Sequence, residues 1–213
     1  MMVDFNVLAQ TWDNEPRRIE RATVISKEIL KAIPISREQT AMEFGCGTGL
    51  LSFCLQPYFR QITLVDSSEG MISVVREKKL QAGIENMLPL CLDLFKDKMD
   101  QKFDVIYSLL ALHHVRDIDG ILGRLSELVN PSGFLCIADL DEEDGSFHGP
   151  GFNGHNGFNR DALTRKLQQL GCTQIKWKIC YQNKKTFTDG SIRYYPVFLL
   201  TGHNTRGRFF CAL

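Results

Sequence analysis

The stretch Ala41-Met42-Glu43-Phe44-Gly45-Cys46-Gly47-Thr48-Gly49 decides the fold. Its first half is an apolar run of strand length, its second half alternates glycine with other residues, and a helical pattern begins at Leu50. A strand that runs through such a turn into a helix lets backbone come close to a ligand, because glycine adds no Cβ and reaches positive φ freely. Outward from it, strand-length apolar runs alternate with amphipathic segments, the pattern of a mostly parallel sheet covered by helices. Strands are expected at residues 40–45, 61–66, 87–92, 103–108, 133–139, 174–182 and 192–202. Helices are expected at 50–56, 68–82, 117–129 and 161–170, stopped by Pro57, Gly83, Asn130-Pro131 and Gly171. A further helix at 17–32 repeats apolar residues at Ile19, Ala22, Ile25 and Ile29, with Ile33 next in the series. The short link YQNKKTFTDGS between the last two strands requires an antiparallel pair, since a parallel crossover needs a dozen or more residues. The reading is one α/β domain over residues 1–213: a seven-stranded, mostly parallel sheet with helices on both faces and an antiparallel C-terminal strand.

Composition narrows the function. With 44% hydrophobic and 23% charged residues in 213, the chain reads as globular rather than fibrous or disordered. Lys plus Arg and Asp plus Glu balance at 25 each, so no net positive field exists to hold a polyanion, and no nucleic-acid partner is expected, although Arg206 and Arg208 make the tail locally basic. No apolar run reaches signal-peptide or membrane-span length, so the expectation is a cytoplasmic protein with no membrane span. Seven cysteines without a C-x-x-C pair read as reduced, mostly buried thiols. The glycine-rich stretch 140–159, LDEEDGSFHGPGFNGHNGFN, lacks regular patterning and follows the end of a strand, where open α/β sheets bind ligands.

The glycine spacing separates cofactors. A dinucleotide fingerprint G-x-G-x-x-G would place its third glycine at position 50, which is Leu50, so a nicotinamide (NAD(P)) oxidoreductase is the weaker alternative. Seventeen residues beyond Gly49 the strand QITLVD ends in Asp66, an acid placed to accept hydrogen bonds from ribose hydroxyls. With Glu43 the segment reads E-x-G-x-G-x-G and closely resembles motif I of the class I S-adenosylmethionine-dependent methyltransferases, a Rossmann-like family. VDSSEGMISV, LDLF at 92–95, FDVIYSLLALHHVRD and NPSGFLCIAD are similar to the later motifs of that family, in the right order. The nearest resemblance is to the ubiquinone/menaquinone-biosynthesis-type small-molecule group.

The resemblance implies S-adenosyl-L-methionine as cofactor, S-adenosyl-L-homocysteine as product, and a small-molecule methyl acceptor as partner, in a monomer or homodimer. It assigns Glu43, Gly45, Gly47 and Gly49 to the methionine end, Asp66 to the ribose, and Met71, Asp93 and Leu94 to the adenine, with Ser67 and Ser108 also at the cofactor. Residues 1–34 are similar to the helical lid of small-molecule members, where an aromatic residue, here Trp12, covers the cofactor. Its π face would favour the sulfonium charge.

Methyl transfer from a sulfonium is in-line and needs little acid or base power, so orientation in a dry pocket dominates. A base matters where the acceptor must lose a proton, and His113 and His114, after the fourth strand, are the catalytic candidates. His148 and His155 lie in the 140–159 stretch beside Asp139, Asp141, Glu142, Glu143 and Asp144. Their spacing names no metal site, and the stretch reads as a wall over the acceptor pocket. YSLLALHH departs from the Asp/Asn-Pro-Pro-Tyr/Phe pattern of adenine- and glutamine-nitrogen methylating enzymes, which disfavours such acceptors. A binding module that retains cofactor affinity without turnover is the non-enzymatic alternative.

Overall fold

The structure, a computed structural model, describes residues 4–206, so Arg208 and Cys211 lie outside the described residues. Strands β1 (Thr40–Phe44), β2 (Gln61–Asp66), β3 (Met87–Cys91), β4 (Phe103–Leu109), β5 (Val129–Leu140), β6 (Cys172–Thr186) and β7 (Ile192–Asn204) form one sheet in the order β3-β2-β1-β4-β5-β7-β6. The first five pair in parallel, and β7 runs antiparallel to both β5 and β6. All seven expected strands are present. The largest length differences lie in β6, which spans Cys172–Thr186 rather than 174–182, and in β5, which starts at Val129 rather than 133 because the chain passes directly from helix to strand through an irregular pairing at Phe103/Val105.

Helices α1 (Phe5–Leu8), α2 (Pro16–Ala32), α3 (Leu50–Leu55), α4 (Glu69–Gln81), α5 (Ile118–Leu128) and α6 (Arg160–Gln169) surround the sheet. Strands buried on both faces carry apolar residues at successive positions, each pointing to the opposite side. Ala41, Leu64, Val105 and Ala138 meet Ala22, Ile25 and Ile29 of α2, with α3 and α4, in one core. Met42, Val65, Ile106 and Ile137 meet Leu122 and Leu125 of α5 and Leu163 and Leu167 of α6 in the other. Ile19 departs from the stripe expected for α2 and is 46% exposed.

Strand order reverses between β1 and β4, which leaves a crevice outside their carboxyl ends. The backbone there is specialised. Gly45 has φ +64°, and a Cβ at this position would stand 2.3 Å from the Cβ of Ala111, on the segment that follows β4. Leu110, beside it, holds φ at 52°, a conformation costly for a branched side chain, and its N–H donates to Ala138 O at 2.8 Å. The two loops therefore touch through bare backbone. Gly45→Ala combines an overpacked contact with a left-handed backbone and is expected to destabilise the protein by about 2 kcal/mol or more. Urea unfolding of the variant beside the parent checks this; an unchanged midpoint would show that the loops separate without cost.

Candidate active site

The motif loop is bound to the end of β2. Cys46 N–H donates to Val65 O at 3.0 Å, and Gly47 N–H donates to Asp66 Oδ2 at 2.8 Å. The other oxygen of Asp66 accepts from Ser68 N–H at 2.9 Å, so each carboxylate oxygen keeps a lone pair for a further donor. Burial raises the Asp66 carboxyl above the usual range, and the backbone N–H donors of Ser68 and Gly47 oppose that rise. Ser68 caps α4, its hydroxyl accepting from Met71 N–H at 3.2 Å.

The N-terminal segment closes over this loop. Asp13 accepts from the Thr48 hydroxyl at 2.5 Å and from Lys78 Nζ at 2.6 Å, and Lys78 also donates to Thr48 O at 2.9 Å. Asn6 Oδ1 accepts from Ser68 Oγ and from Gly70 N–H, at 2.8 and 2.9 Å. Gly70 permits that approach, because a Cβ there would stand 2.8 Å from the Asn6 Cα. Trp12 sits on the 3-10 turn Ala9–Asn14 with the Arg18 guanidinium 3.6 Å from its ring centroid, so one π face is already engaged by a cation.

Beneath the segment lies a cavity of about 430 Å³. Of the residues expected at the cofactor, Trp12, Gly45, Gly47, Asp66, Ser67, Met71, Asp93 and Leu94 all line it, together with Phe5 and His114. Asp93 holds its own turn, accepting from Phe95 N–H at 3.0 Å and pairing with Lys96 at 2.8 Å, which keeps its carboxyl below the usual range. Gly49 does not line the cavity. It is the residue before α3, with φ +80°, and its N–H donates to Cys46 O, so its role here is to turn the chain. Ser108 does not line the cavity either: its side chain faces the interior, 1% exposed, with its hydroxyl unpartnered, and Leu109 and Leu110 stand nearer the ligand space.

Glu43 borders a smaller adjoining space of about 70 Å³, walled also by Arg18, Arg21, Gly45 and Gly47. Its carboxylate accepts from the N–H of Ser52 at 3.2 Å and from the Ser52 hydroxyl, which in turn lies 2.7 Å from Tyr107 OH. Burial pushes the Glu43 carboxyl up to about 8, against the opposing pull of the Ser52 hydrogen bonds. Sequence reasoning missed Arg18 and Arg21. Arg21 donates to Asn183 Oδ1 at 2.7 Å, while its Nε is buried without a partner and burial lowers its pKa to about 10. A legible signal existed: Arg18 precedes Ala22 by one helical turn and Arg21 precedes Ile25 likewise, so both extend the buried stripe of α2 with charge.

His113 and His114 follow β4 on the turn Leu112–His114. His113 is 2% exposed, and its Nδ1 lies 2.6 Å from Asp139 Oδ1. Asp139, fully buried, also accepts from the N–H groups of Leu112, His113 and Leu140, which fixes the carboxylate and hence the imidazole. Phe5 meets His114 edge-on at 5.2 Å. Of the two histidines in the 140–159 stretch, the structure brings His148 to this pair and leaves His155 outside, with Nε2 3.3 Å from Arg116 O. Burial, with repulsion from the neighbouring histidines, lowers His114 to about 3 and His148 to about 4, so both are neutral near pH 7. Gly154 lets the stretch lie against His113, where a Cβ would stand 2.2 Å from His113 O, and His155 N–H donates to that oxygen at 2.7 Å. Beyond His148 opens a hollow of about 740 Å³ bordered by Phe152, Lys185 and Phe187.

This fold, with a glycine loop and an acid at the tip of the second strand, is Rossmann-like. Residues 42–135 match a family described as a methyltransferase domain. The chain is 34% identical over 116 residues to an uncharacterised methyltransferase of Schizosaccharomyces pombe, covering 51% of this chain and 41% of that protein. It is 29% identical over 144 residues to the ubiquinone biosynthesis O-methyltransferase of Coxiella burnetii, covering 66% and 61%. The aligned segments thus span less than two thirds of these relatives. The solved N-methyltransferase NodS of Bradyrhizobium japonicum, in complex with S-adenosyl-L-homocysteine, superposes with a TM-score of 0.64 at 16% identity, covering 89% of this chain and 87% of that one. Over residues 42–135 the chain is thus similar to methyltransferases, and the solved neighbour shares its fold.

Two outcomes are expected. Asp66→Ala removes charged hydrogen bonds worth about 1.5–3 kcal/mol, so calorimetry should find S-adenosylhomocysteine bound roughly 10- to 150-fold more weakly. An unchanged affinity would remove Asp66 from the site. Glu43 keeps a proton in the folded chain that the unfolded chain has lost, so its contribution to stability falls as pH rises from the ordinary carboxylate range to about 8. Glu43→Gln should therefore lose stability less steeply over that window than the parent does, as measured by denaturant unfolding at several pH values.

Proposed function

We propose that the chain transfers the S-adenosylmethionine methyl group to a small-molecule acceptor by in-line displacement, with the segment up to residue 34 acting as a lid. The observation that carries this reading is the nearness of two spaces: His114 lines the 430 Å³ cavity, and His148, which borders the 740 Å³ hollow, has its ring 5.3 Å from His114. In this reading the cofactor occupies the first space and the acceptor the second, with the histidines between them. The ubiquinone-biosynthesis relative is named as an O-methyltransferase, which favours an acceptor hydroxyl over an amine.

The chain's own residues then divide the work. Asp66 accepts from the ribose hydroxyls, and Asp93 with the Leu94 backbone meets the adenine edge. Arg18 and Arg21 hold the methionine carboxylate, with Glu43 toward its ammonium. When bound, S-adenosylmethionine would supply its methyl group to the acceptor hydroxyl oxygen, leaving neutral S-adenosylhomocysteine, and the hydroxyl proton would pass to solvent. Orientation and exclusion of water supply most of the acceleration. His114, neutral near pH 7 and lining the cavity, stands beside the acceptor. His113 is a positioning residue whose ring is held by Asp139.

Calorimetric titration with S-adenosylmethionine, S-adenosylhomocysteine and NADH tests the cofactor side: micromolar binding of the two adenosyl compounds alone is expected, and binding of NADH alone would overturn it. On the acceptor side, a panel of phenols, catechols and small amines is screened for S-adenosylhomocysteine release. With any acceptor found, His114→Ala is expected to lower kcat at least tenfold while cofactor affinity stays within about twofold. No loss of turnover would remove His114 from acceptor handling.

A further inference from the structure

The long stretch after β5 returns a third histidine to the pair that follows β4. The ring centroids of His113 and His114 lie 4.2 Å apart, those of His113 and His148 5.0 Å, and those of His114 and His148 5.3 Å. Three imidazoles on one tetrahedral ion, with zinc–nitrogen bonds of about 2.0–2.1 Å, place their centroids about 5 Å apart. One ring nitrogen from each residue lies within 4.8 Å of the other two, against about 3.3 Å in such a site, a difference that small ring rotations close.

Three independent features fit the same ligand. Asp139 holds His113 at Nδ1, as carboxylates commonly hold metal-bound histidines, which aims the remaining nitrogen at the cluster. His148 Nε2 is buried and has no hydrogen-bond partner, so a polar atom stands desolvated and uncompensated until something binds it. Phe152 stacks on His148 at 3.8 Å, and Phe5 and Phe152 meet His114 edge-on at 5.2 and 5.4 Å, which keeps the cluster dry on those sides.

We propose that His113, His114 and His148 bind one divalent transition-metal ion of the zinc type, with an open coordination position between the cofactor cavity and the adjoining hollow. Imidazole nitrogens suit zinc, copper, iron and nickel rather than magnesium or calcium. The ion's role as an anchor for an acceptor oxygen rests on the function proposed above; its binding does not.

The chain is prepared without a polyhistidine tag, stripped with chelator, and titrated calorimetrically with zinc chloride. Cobalt chloride gives a parallel optical reading of coordination. One ion per chain is expected, at micromolar affinity or tighter, with the visible bands of a four-coordinate cobalt site. His148→Phe keeps the stacking on Phe152 and His148→Asn keeps polarity, and both are expected to weaken zinc at least 100-fold while S-adenosylhomocysteine binds as in the parent. The site is refuted if zinc binds the parent at less than one equivalent, or if both variants bind it as the parent does. Zinc bound without S-adenosylhomocysteine would keep the site and overturn the methyltransferase reading; the reverse would do the opposite.

Discussion

The carboxylate of Asp66 accepts the Gly47 N–H at 2.8 Å, and the rest of the site depends on that link. It joins the end of β2 to the loop leaving β1, two neighbouring strands whose parallel register brings Phe44 beside Val65. A loop of glycines has little reason to hold one shape, since each glycine loses more conformational freedom on ordering than any other residue. Here the loss is offset by hydrogen bonds at Cys46, Gly47 and Gly49 and by the bare contact of Gly45 with Ala111. The same carboxylate remains partly open to the cavity, so one group both shapes the loop and presents a charge to a ligand.

The N-terminal segment depends on the loop in turn. Thr48 is the loop residue that Asp13 reaches, and Lys78 joins Asp13 to α4, so a three-element polar link seats Trp12 over Gly47. Such a link is only partly buried and worth little as an isolated ion pair. Its value is geometric: it orients an aromatic cover whose opening leaves the two main cores intact, because α1 and the following 3-10 turn bury only Ala9. A cover with few buried apolar contacts can open at low cost.

On the opposite wall, Asp139 plays the part that Asp66 plays at the loop. It gathers three backbone N–H groups and one imidazole at the end of β5, so the turn holding His113 and His114 is fastened to the sheet rather than to solvent. The 140–159 stretch then packs on that turn through Gly154 and the His155 N–H, and Lys185 holds it from the other side by donating to Ser146 O and Phe147 O at 2.9 and 2.7 Å. Polar groups drawn from distant strands thereby face one another across a space that neither wall would enclose alone.

The sequence by itself determined the sheet, the order of its elements and the cofactor loop. Those depend on local signals: apolar periodicity of 2 or 3.6, glycine and proline stops, and the acid at the end of QITLVD. Met71, Asp93 and Leu94, named from the sequence, line the crevice, each following a strand by a short interval. Only the tertiary structure decided that Ser108 turns into the interior, that Gly49 turns the chain without facing the cavity, and that Arg18 and Arg21 border the space beside Glu43. It alone separated His148 from His155, seven residues apart in one irregular stretch, bringing the first to His113 and His114 and sending the second outward. The physical reason is that side-chain direction in a loop has no period to read. It is set by long-range hydrogen bonds and close backbone contacts, here at His113 O and Asp139, which exist only once strands distant in sequence lie side by side.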